Sequence, residues 1–371
     1  MQLTPTVPLG VETTVEAVEQ PRVKSRVMYV NAVRVYAMTI VVLIHVAAIL
    51  APHMATIASS DWWISNMFHG FSKGGPPIFT LVSGMLLLGG KDQPLTDFFR
   101  KRFMKVLLPF IGWAFIYLLW RAHNGEVFTL TSATQAILNG PAYYHMWFIQ
   151  MILGMYLATP ILRVFVRNAS QELLRYSIAI WVIAVSLVPL LNEFTDFNIG
   201  IQFVVTTGFV GYFILGYALR NVTLTPRQML PTLLMVVGSI LLTEFLTYRL
   251  TADNDQMLNI FFLNNQGLNI IVIAVGMFLF LKSLPYEAIF ARLPRLEQAL
   301  QVAASCSLGV YFVHVLVMEV FGSGLLGFRL GPLTGGALIG IPLTWLVTLA
   351  VSLAITWVLK QIPLVKILVP G

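Results

Sequence analysis

Long apolar runs, repeated along almost the whole chain, limit this sequence to very few kinds of fold. From about residue 28 onward, runs of about 15–24 residues carry few charges and end at charged residues, Pro, Gly or Asn. A helix needs roughly 20 apolar residues to cross the hydrocarbon core of a bilayer. Hydrophobic residues make up 57% of the 371 residues and charged residues only 11%, too few to give a compact fold a polar surface. The sequence therefore predicts an integral membrane protein and argues against a cytosolic enzyme, a DNA-binding protein and a secreted disulfide-bonded domain.

Ten of these runs are predicted to be transmembrane helices. Lipid offers no hydrogen-bond partners, so a backbone that crosses it must satisfy its own polar groups, as an α-helix does. We therefore predict an all-α integral membrane protein of about ten transmembrane helices. A single polytopic domain at 26–371 follows a disordered cytoplasmic tail at 1–25. The predicted spans are 28–50, 76–90, 104–121, 146–166, 177–191, 204–220, 231–249, 268–283, 302–322 and 336–359.

The distribution of Lys and Arg predicts the orientation of the chain, because basic residues resist translocation and stay in cytoplasmic loops. With the N-terminus in the cytoplasm, 18 of the 23 basic residues fall in cytoplasmic segments, four fall on the opposite side, and Arg34 lies within the first span. The net charge of +7 is then explained by basic loops, and no nucleic-acid partner is expected. Both termini are predicted to be cytoplasmic.

Two polar residues in the first predicted span, Arg34 and His45, form the first candidate site. An ionisable side chain inside a span costs about 2.5–3.5 kcal/mol to insert, so that it points to function. The two residues are eleven positions apart, which corresponds to ~16 Å along a helix and three turns plus ~20°. They therefore share one helix face, with a cation towards the cytoplasm and an imidazole deep in the bilayer. Taken singly, Arg34 could instead reach lipid phosphates, and His45 could be a hydrogen-bonded packing residue.

A basic cluster precedes the third predicted span and contains Arg100, Lys101, Arg102 and Lys105. Binding of lipid headgroups is the ordinary function of such a cluster. Guanidinium groups also bind phosphate oxygens in a bidentate manner, which would suit capture of a phosphorylated cofactor from the cytosol. The position of the cluster relative to Arg34 decides between these interpretations.

Polar residues also mark the fourth, seventh and ninth predicted spans. In the ninth, Ser307, Tyr311 and His314 have the spacing i, i+4 and i+7, which places them on one helix face that we expect to line a polar interior. That interior could be a site or a packed hydrogen-bond network. His145 and Trp147 lie at the outer mouth of the fourth span, where an aromatic anchor at the membrane interface is an alternative role. The remaining carboxylates within predicted spans are Glu244 and Glu319.

Several motifs of common catalytic and metal sites are absent from the sequence. There is no GxxxxGK[ST] phosphate loop, no HExxH and no CxxC pair,. The one cysteine, Cys306, excludes an internal disulfide,. We therefore expect no metal centre, and we expect the polar groups among the helices to carry any chemistry.

Five segments occur in order along the chain: Arg34 with His45, FTLVSG at 79–84, RKRFMKVLLP at 100–109, HMWF at 145–148 and SLGVYFVH at 307–314. Together they resemble the membrane-bound acyltransferase 3 family, bacterial proteins that O-acylate carbohydrates of the cell surface. The resemblance spans nearly the whole chain after the tail and is greatest to the stand-alone O-acetyltransferases of polysaccharide or glycolipid. Where such relatives have Arg-Arg in the basic run, this sequence has Arg-Lys-Arg, a minor departure.

The resemblance implies transfer of an acyl group, most often acetyl, from cytosolic acyl-CoA to a sugar hydroxyl. His45 would then be the general base or a transient acyl carrier, and Tyr311 and His314 would donate to the thioester oxygen or orient the base. The residues expected to hold the phosphates of acetyl-CoA are Arg34, Arg100, Arg102 and Lys105. The residues expected to line an acceptor chamber are His145, Trp147, Glu244 and Glu319.

The implied location is the bacterial cytoplasmic (inner) membrane, with membrane lipids, acyl-CoA and a carbohydrate or glycolipid acceptor as partners. Homo-oligomerisation, the acyl chain, the acceptor and the side of transfer stay open. A secondary transporter or flippase for a lipid-linked glycan or small solute is the main alternative, because ten spans and charges near the midplane suit it equally. A non-catalytic membrane scaffold is a third interpretation, although the short loops offer little surface for a partner.

Overall fold

A computed structural model describes residues 19–138, 140–196, 199 and 208–371. This part of the chain is helical and contains no β-strand. Residues 1–18 of the predicted tail lie outside it, and the first helix begins at Glu19, before the predicted end of the tail. The fifteen α-helices of the described residues are α1 (Glu19–Ala48), α2 (Ser59–Ser72), α3 (Gly75–Leu88), α4 (Leu95–Arg102), α5 (Leu108–His123), α6 (Leu130–Leu138), α7 (Trp147–Asn168), α8 (Gln171–Val182), α9 (Val188–Phe194), α10 (Val210–Ala218), α11 (Pro226–Ala252), α12 (Leu268–Lys282), α13 (Tyr286–Arg292), α14 (Pro294–Ser323) and α15 (Ala337–Gln361).

Eight helical segments of the described chain are long and apolar enough to cross a membrane, and each contains most or all of one predicted span. The prediction of an all-α integral membrane protein is confirmed. The second and sixth predicted spans, 76–90 and 204–220, coincide with the shorter helices α3 and α10, and residues 204–207 lie outside the described part. The orientation of the termini stays a prediction. The eight segments are Met28–His53, Leu95–His123, Tyr144–Asn168, Gln171–Phe194, Pro226–Ala252, Phe261–Lys282, Pro294–Ser323 and Ala337–Gln361.

The second predicted span is the C-terminal half of a longer, interrupted helical segment. Helix α2 lies between the first two predicted spans, where a loop was expected. It leads into α3 through a two-residue turn at Lys73 and Gly74. The pair runs antiparallel to α1. Near one end the Ser65 hydroxyl donates to the Ala47 carbonyl at 2.8 Å, and near the other the Tyr29 hydroxyl contacts the Met85 sulfur at 3.5 Å. The turn at 73–74 therefore lies about halfway along α1.

Two glycines bring the backbones of α3 and α10 into direct contact. A Cβ atom at Gly84 would lie 1.9 Å from the Phe213 carbonyl oxygen, and one at Gly216 would lie 2.0 Å from the Leu81 carbonyl oxygen. Neither separation is sterically possible, so only glycine fits at this crossing. Gly84 is the last residue of the FTLVSG segment, and its presence there fixes the position of α3 against α10.

Wide π-helical turns interrupt two of the membrane-length segments, at Phe103–Leu107 and Ile183–Leu187. Each precedes a proline in the following helix, Pro109 in α5 and Pro189 in α9. Proline has no N–H to bond to the carbonyl four residues earlier, so the preceding turn loses its regular hydrogen bond and widens. The first of these turns carries Lys105 of the basic cluster.

Helices α1 and α14 are the most buried of the membrane-length helices. They run parallel, because Arg34 of α1 bonds to Ser307 of α14 and His45 lies beside His314 further along both helices. Helix α1 also separates two hydrophobic clusters, one shared with α5, α7, α14 and α15 and the other with α3, α10, α11 and α12. The polar faces of α1 and α14 thus meet in the centre of the bundle.

Candidate active site

Three histidines from separate elements form one cluster at the centre of the bundle. His45 comes from α1, His314 from α14, and His145 from the 3₁₀ turn Tyr144–Met146 that leads into α7. The ring centroids of His45 and His314 are 5.2 Å apart, those of His145 and His314 5.4 Å, and those of His45 and His145 6.1 Å. His145 and His314 are buried, and His45 is partly exposed to a cavity.

The hydrogen bonds of His314 define its proton position. Its Nδ1 lies 3.1 Å from the Val310 carbonyl oxygen and 2.8 Å from that of Tyr311. Carbonyl oxygens only accept, so Nδ1 carries a proton and Nε2 of the neutral ring has a free lone pair. Within the described residues, Nε2 of His314 and both ring nitrogens of His145 are buried without a hydrogen-bond partner. The cluster therefore holds two unused proton acceptors, Nε2 of His314 and one nitrogen of the neutral His145 ring,.

Tyr311 ties α14 to the turn that carries His145. Its hydroxyl donates to the backbone carbonyl of His145, and the two rings have centroids 5.5 Å apart. Tyr311 therefore lies beside His145 and beside His314, with which it shares a face of α14. Its proton is engaged with the main chain, however, so the arrangement favours a positioning role over donation to a thioester.

A cavity of about 290 Å³ opens on the histidine cluster, and we call it the histidine cavity. His45, His145 and Trp147, all candidate residues from the sequence, line it. Two further polar residues that the sequence analysis did not select, His69 and Lys73, line it as well. They lie at the end of α2 and in the turn that interrupts the α2–α3 segment. This interruption therefore places two nitrogen-bearing side chains next to His45.

A second cavity of about 390 Å³ lies towards the basic cluster, and we call it the basic cavity. It is lined by Arg34, Arg102 and Lys105, and no acidic side chain of the described chain lines it. The Arg34 guanidinium donates to the Ser307 hydroxyl at 3.0 Å. The Arg102 guanidinium carbon lies 5.6 Å from the centroid of the Tyr156 ring. These contacts hold two planar cations at the cavity wall, and neither forms an ion pair with an acidic side chain among the residues that the structure describes.

Helix α3 supplies the apolar wall of the basic cavity. The lining residues follow the spacing i, i+3, i+4, i+7 and i+8, which is a single helix face. The opposite side of the helix is committed to α10 through Gly84. The FTLVSG segment thus combines a close helix contact with a cavity wall. The α3 residues in the wall are Phe79, Val82, Ser83, Leu86 and Leu87.

Three aromatic residues line both cavities: Phe79, Phe148 and Tyr311. The ring centroids of Phe79 and Phe148 are 6.1 Å apart, and those of Phe148 and Tyr311 are 6.0 Å apart. Arg34 lines the cavity on one side of these rings and His45 the cavity on the other. The two residues therefore face adjoining interior spaces that meet at one aromatic wall, and neither points into lipid.

Arg100 is separated from the other three residues expected to hold donor phosphates. Its side chain is 75% exposed and lies 3.3 Å from Asp97, outside the lining of the basic cavity. Arg100 and Arg102 are two positions apart in α4, or ~200° around the helix. They therefore project from opposite faces, and only Arg102 reaches the cavity.

Glu244 and Glu319 do not join His145 and Trp147 at the histidine cavity. The Glu319 carboxylate accepts hydrogen bonds from the Trp120 indole and the Tyr143 hydroxyl. Glu319 follows His314 by five residues, ~140° around α14, so the two project from different faces. The buried Glu244 carboxylate packs against Gly70 of α2 and has no hydrogen-bond partner in the described chain.

Comparison with protein families matches residues 27–360, nearly the whole chain, to the acyltransferase 3 family, described as an acyltransferase domain. Comparison with curated proteins gives no match, and neither does comparison with solved structures. The matched range covers all five segments that suggested the resemblance, the three clustered histidines, the lining of the histidine cavity and that of the basic cavity except Pro370 and Gly371. The chain therefore belongs to the acyltransferase 3 family and is a multi-pass membrane acyltransferase.

Proposed function

We propose that the protein is an O-acetyltransferase of the bacterial cytoplasmic membrane. It moves an acetyl group from cytosolic acetyl-CoA to a hydroxyl of a cell-surface carbohydrate or glycolipid. The observation that carries this proposal is the pair of adjoining cavities, one lined by fixed cations and the other by histidines. A transferase with a large anionic donor and a polar acceptor needs two such spaces that meet at the reacting atoms.

The basic cavity suits the donor. Arg34, Arg102 and Lys105 supply positive charge for the phosphates, and the absence of acidic lining residues in the described chain favours an anion,. The apolar α3 face suits the less polar arm that joins the phosphates to the reactive end. When bound, acetyl-CoA supplies an activated acyl thioester. A basic end that faces the cytosol, as the distribution of Lys and Arg predicts, would admit the donor from that side.

The histidine cavity suits the acceptor and the base. His45 removes the proton of the acceptor hydroxyl, since imidazole accepts protons near neutral pH. His314 lies behind His45 with Nδ1 bonded to its own helix, and its free Nε2 is available to orient the neighbouring ring. Tyr311 holds the turn of His145 in place through the main-chain carbonyl. Trp147 provides an aromatic surface beside the acceptor.

Reconstitution in proteoliposomes tests the proposal. The purified protein is given acetyl-CoA labelled in the acetyl group together with glycolipid acceptors, and the products are separated and hydrolysed with mild base. We expect label on the acceptor in a base-labile ester and release of one free thiol per ester formed. Liposomes without protein and acceptors with blocked hydroxyls are the controls. Movement of a glycan or solute across the bilayer without covalent change would contradict the proposal and favour a transporter or flippase.

A further inference from the structure

Lys73 is a cation without an anionic partner in the histidine cavity. It lies in the turn between α2 and α3, is partly buried, and lines the cavity together with His45 and His69. Within the described residues its side chain makes no ion pair or hydrogen bond, and its backbone N–H donates to the Gly70 carbonyl at 3.1 Å. A cation held away from bulk water without a partner is costly, so a bound ligand is expected to supply the missing charge.

Three carboxylates lie on the neighbouring helices, and none of them lines the histidine cavity. Asp61 accepts from the backbone N–H of Ala337 at 2.8 Å and caps the start of α15. Glu319 accepts from Trp120 and Tyr143 on the far side of α14. Glu244 packs against Gly70 and does not line the histidine cavity. The cavity lining therefore contains one lysine and three histidines but no acidic side chain among the described residues.

Other lining atoms have the chemistry of a saccharide site. The Asn265 Oδ1 atom is buried without a hydrogen-bond partner in the described chain, and so is Nδ1 of His69. Both residues line the histidine cavity, as does Trp147. Hydroxyl groups of a sugar would satisfy these acceptors, and an indole ring would cover its apolar face. At about 290 Å³ the cavity is at the small end of ligand sites, so any charged group of the acceptor must lie close to the reacting hydroxyl.

We propose that the acceptor carries an anionic oxygen group, a carboxylate or a phosphate, near the hydroxyl that is acylated, and that Lys73 binds this group. The inference rests on the proposed function and adds the charge class of its acceptor. An uncharged acceptor would leave Lys73 unpaired in the closed complex and would be discriminated against for that reason. Carboxylate and phosphate present the same chemistry to an ammonium group, so the two sources are separated by experiment.

The test uses the full-length protein in proteoliposomes with three acceptors built on one sugar: an uncharged glycoside, the corresponding uronate, and the lipid-linked sugar phosphate. For the wild type we expect kcat/KM to be ~10-fold or more higher with an anionic acceptor than with the uncharged one. Whichever anion gains more identifies the source. In Lys73→Gln the ratio of kcat/KM for the anionic acceptor to that for the uncharged one should fall to about one, mainly through a higher KM for the anionic acceptor. Lys73→Arg should keep the preference.

The matched control is Lys91→Gln, at an exposed lysine in the turn after α3, which should retain the wild-type preference. Acetyl-CoA binding by each purified variant reports on folding, and a thermal shift with the three acceptors reports on binding independently of transfer. Equal kcat/KM and equal shifts for charged and uncharged acceptors would overturn this inference while leaving the proposed function intact. An equal loss of kcat for all three acceptors in Lys73→Gln would also overturn it, because the lysine would then act on charge that develops during transfer. Absence of acetyl transfer to any hydroxyl would overturn both proposals.

Discussion

The basic cavity and the histidine cavity adjoin each other but differ in the kind of charge that lines them. Arginine and lysine line the first, at about 390 Å³, and imidazoles with one lysine line the second, at about 290 Å³. Arginine stays protonated at any physiological pH, whereas imidazole gains and loses a proton near neutrality. The difference supports a division of the proposed reaction between two spaces along one helix, α1, with anion binding in one and proton transfer in the other.

Replacing His45 with alanine should abolish proton transfer in the histidine cavity and leave acetyl-CoA binding in the basic cavity unaffected. Loss of a general base lowers turnover ~10²–10⁴-fold, while acetyl-CoA affinity should stay within about twofold because Arg34 and Arg102 remain. The measurement combines steady-state transfer with equilibrium binding of acetyl-CoA. His53→Ala, at an exposed histidine just after α1, is the matched control and should behave as wild type. Near-normal transfer by His45→Ala would show that His45 is not the general base.

Replacing Arg102 with glutamine should damage the basic cavity alone. Removing one charge-assisted contact to a phosphate raises KM for acetyl-CoA ~10-fold or more, with a small change in kcat. The matched control is Arg100→Gln, two positions away but exposed and beside Asp97, which should change KM by roughly twofold or less. Equal effects of the two substitutions would mean that the cluster binds the donor, or lipid, as a diffuse positive surface.

Replacing Tyr311 with phenylalanine tests whether this residue, which lines both cavities, positions His145 or donates a proton. The variant keeps the ring but loses the hydrogen bond to the His145 carbonyl, a net contribution of about 1 kcal/mol, so kcat should fall only ~5-fold. KM for acetyl-CoA should be unchanged, and the thermal unfolding temperature should fall slightly. A loss of transfer as large as that of His45→Ala would instead show that the tyrosine proton itself takes part in the reaction.

Most of the fold could be predicted from sequence because a bilayer leaves a helix as the only use for a long apolar run. Eight predicted spans match membrane-length helices. Among the helices that lie outside the predicted spans, α2 contributes most to the site; its Ser, Asp, Asn and His residues are interspersed with apolar residues and lower the mean hydropathy. A helical signal is nevertheless present, since Trp62, Ser65, Asn66 and His69 recur at intervals of three or four and are all buried,.

The sequence could predict which residues share a helix face in the candidate site, but not which helices bring those faces together. Helical periodicity places Ser307, Tyr311 and His314 on one face of α14, yet it says nothing about which face of another helix lies opposite. The same periodicity places Arg100 and Arg102 on opposite faces of α4, and Glu319 and His314 on different faces of α14. The sequence alone therefore argues against Arg100 beside Arg102 at the donor phosphates and against Glu319 beside the histidines. The run Gly74-Gly75-Pro76-Pro77 marks a helix break in the sequence,. Lys73 was not selected because its position beside His45 depends on packing of this turn against α1 and α12, which a local pattern does not encode.

The glycine crossing of α3 and α10 has a consequence for how this protein could diversify. One side of α3 is pinned by main-chain contact at Gly84 and Gly216 and tolerates almost no replacement. The other side carries ordinary side chains such as Val82 and Leu86, whose bulk sets the room beside them. Exchanging those residues would change the size of the basic cavity without moving α3. Under the proposed function, a few point substitutions could therefore alter how the donor's arm fits while the helix contact is kept.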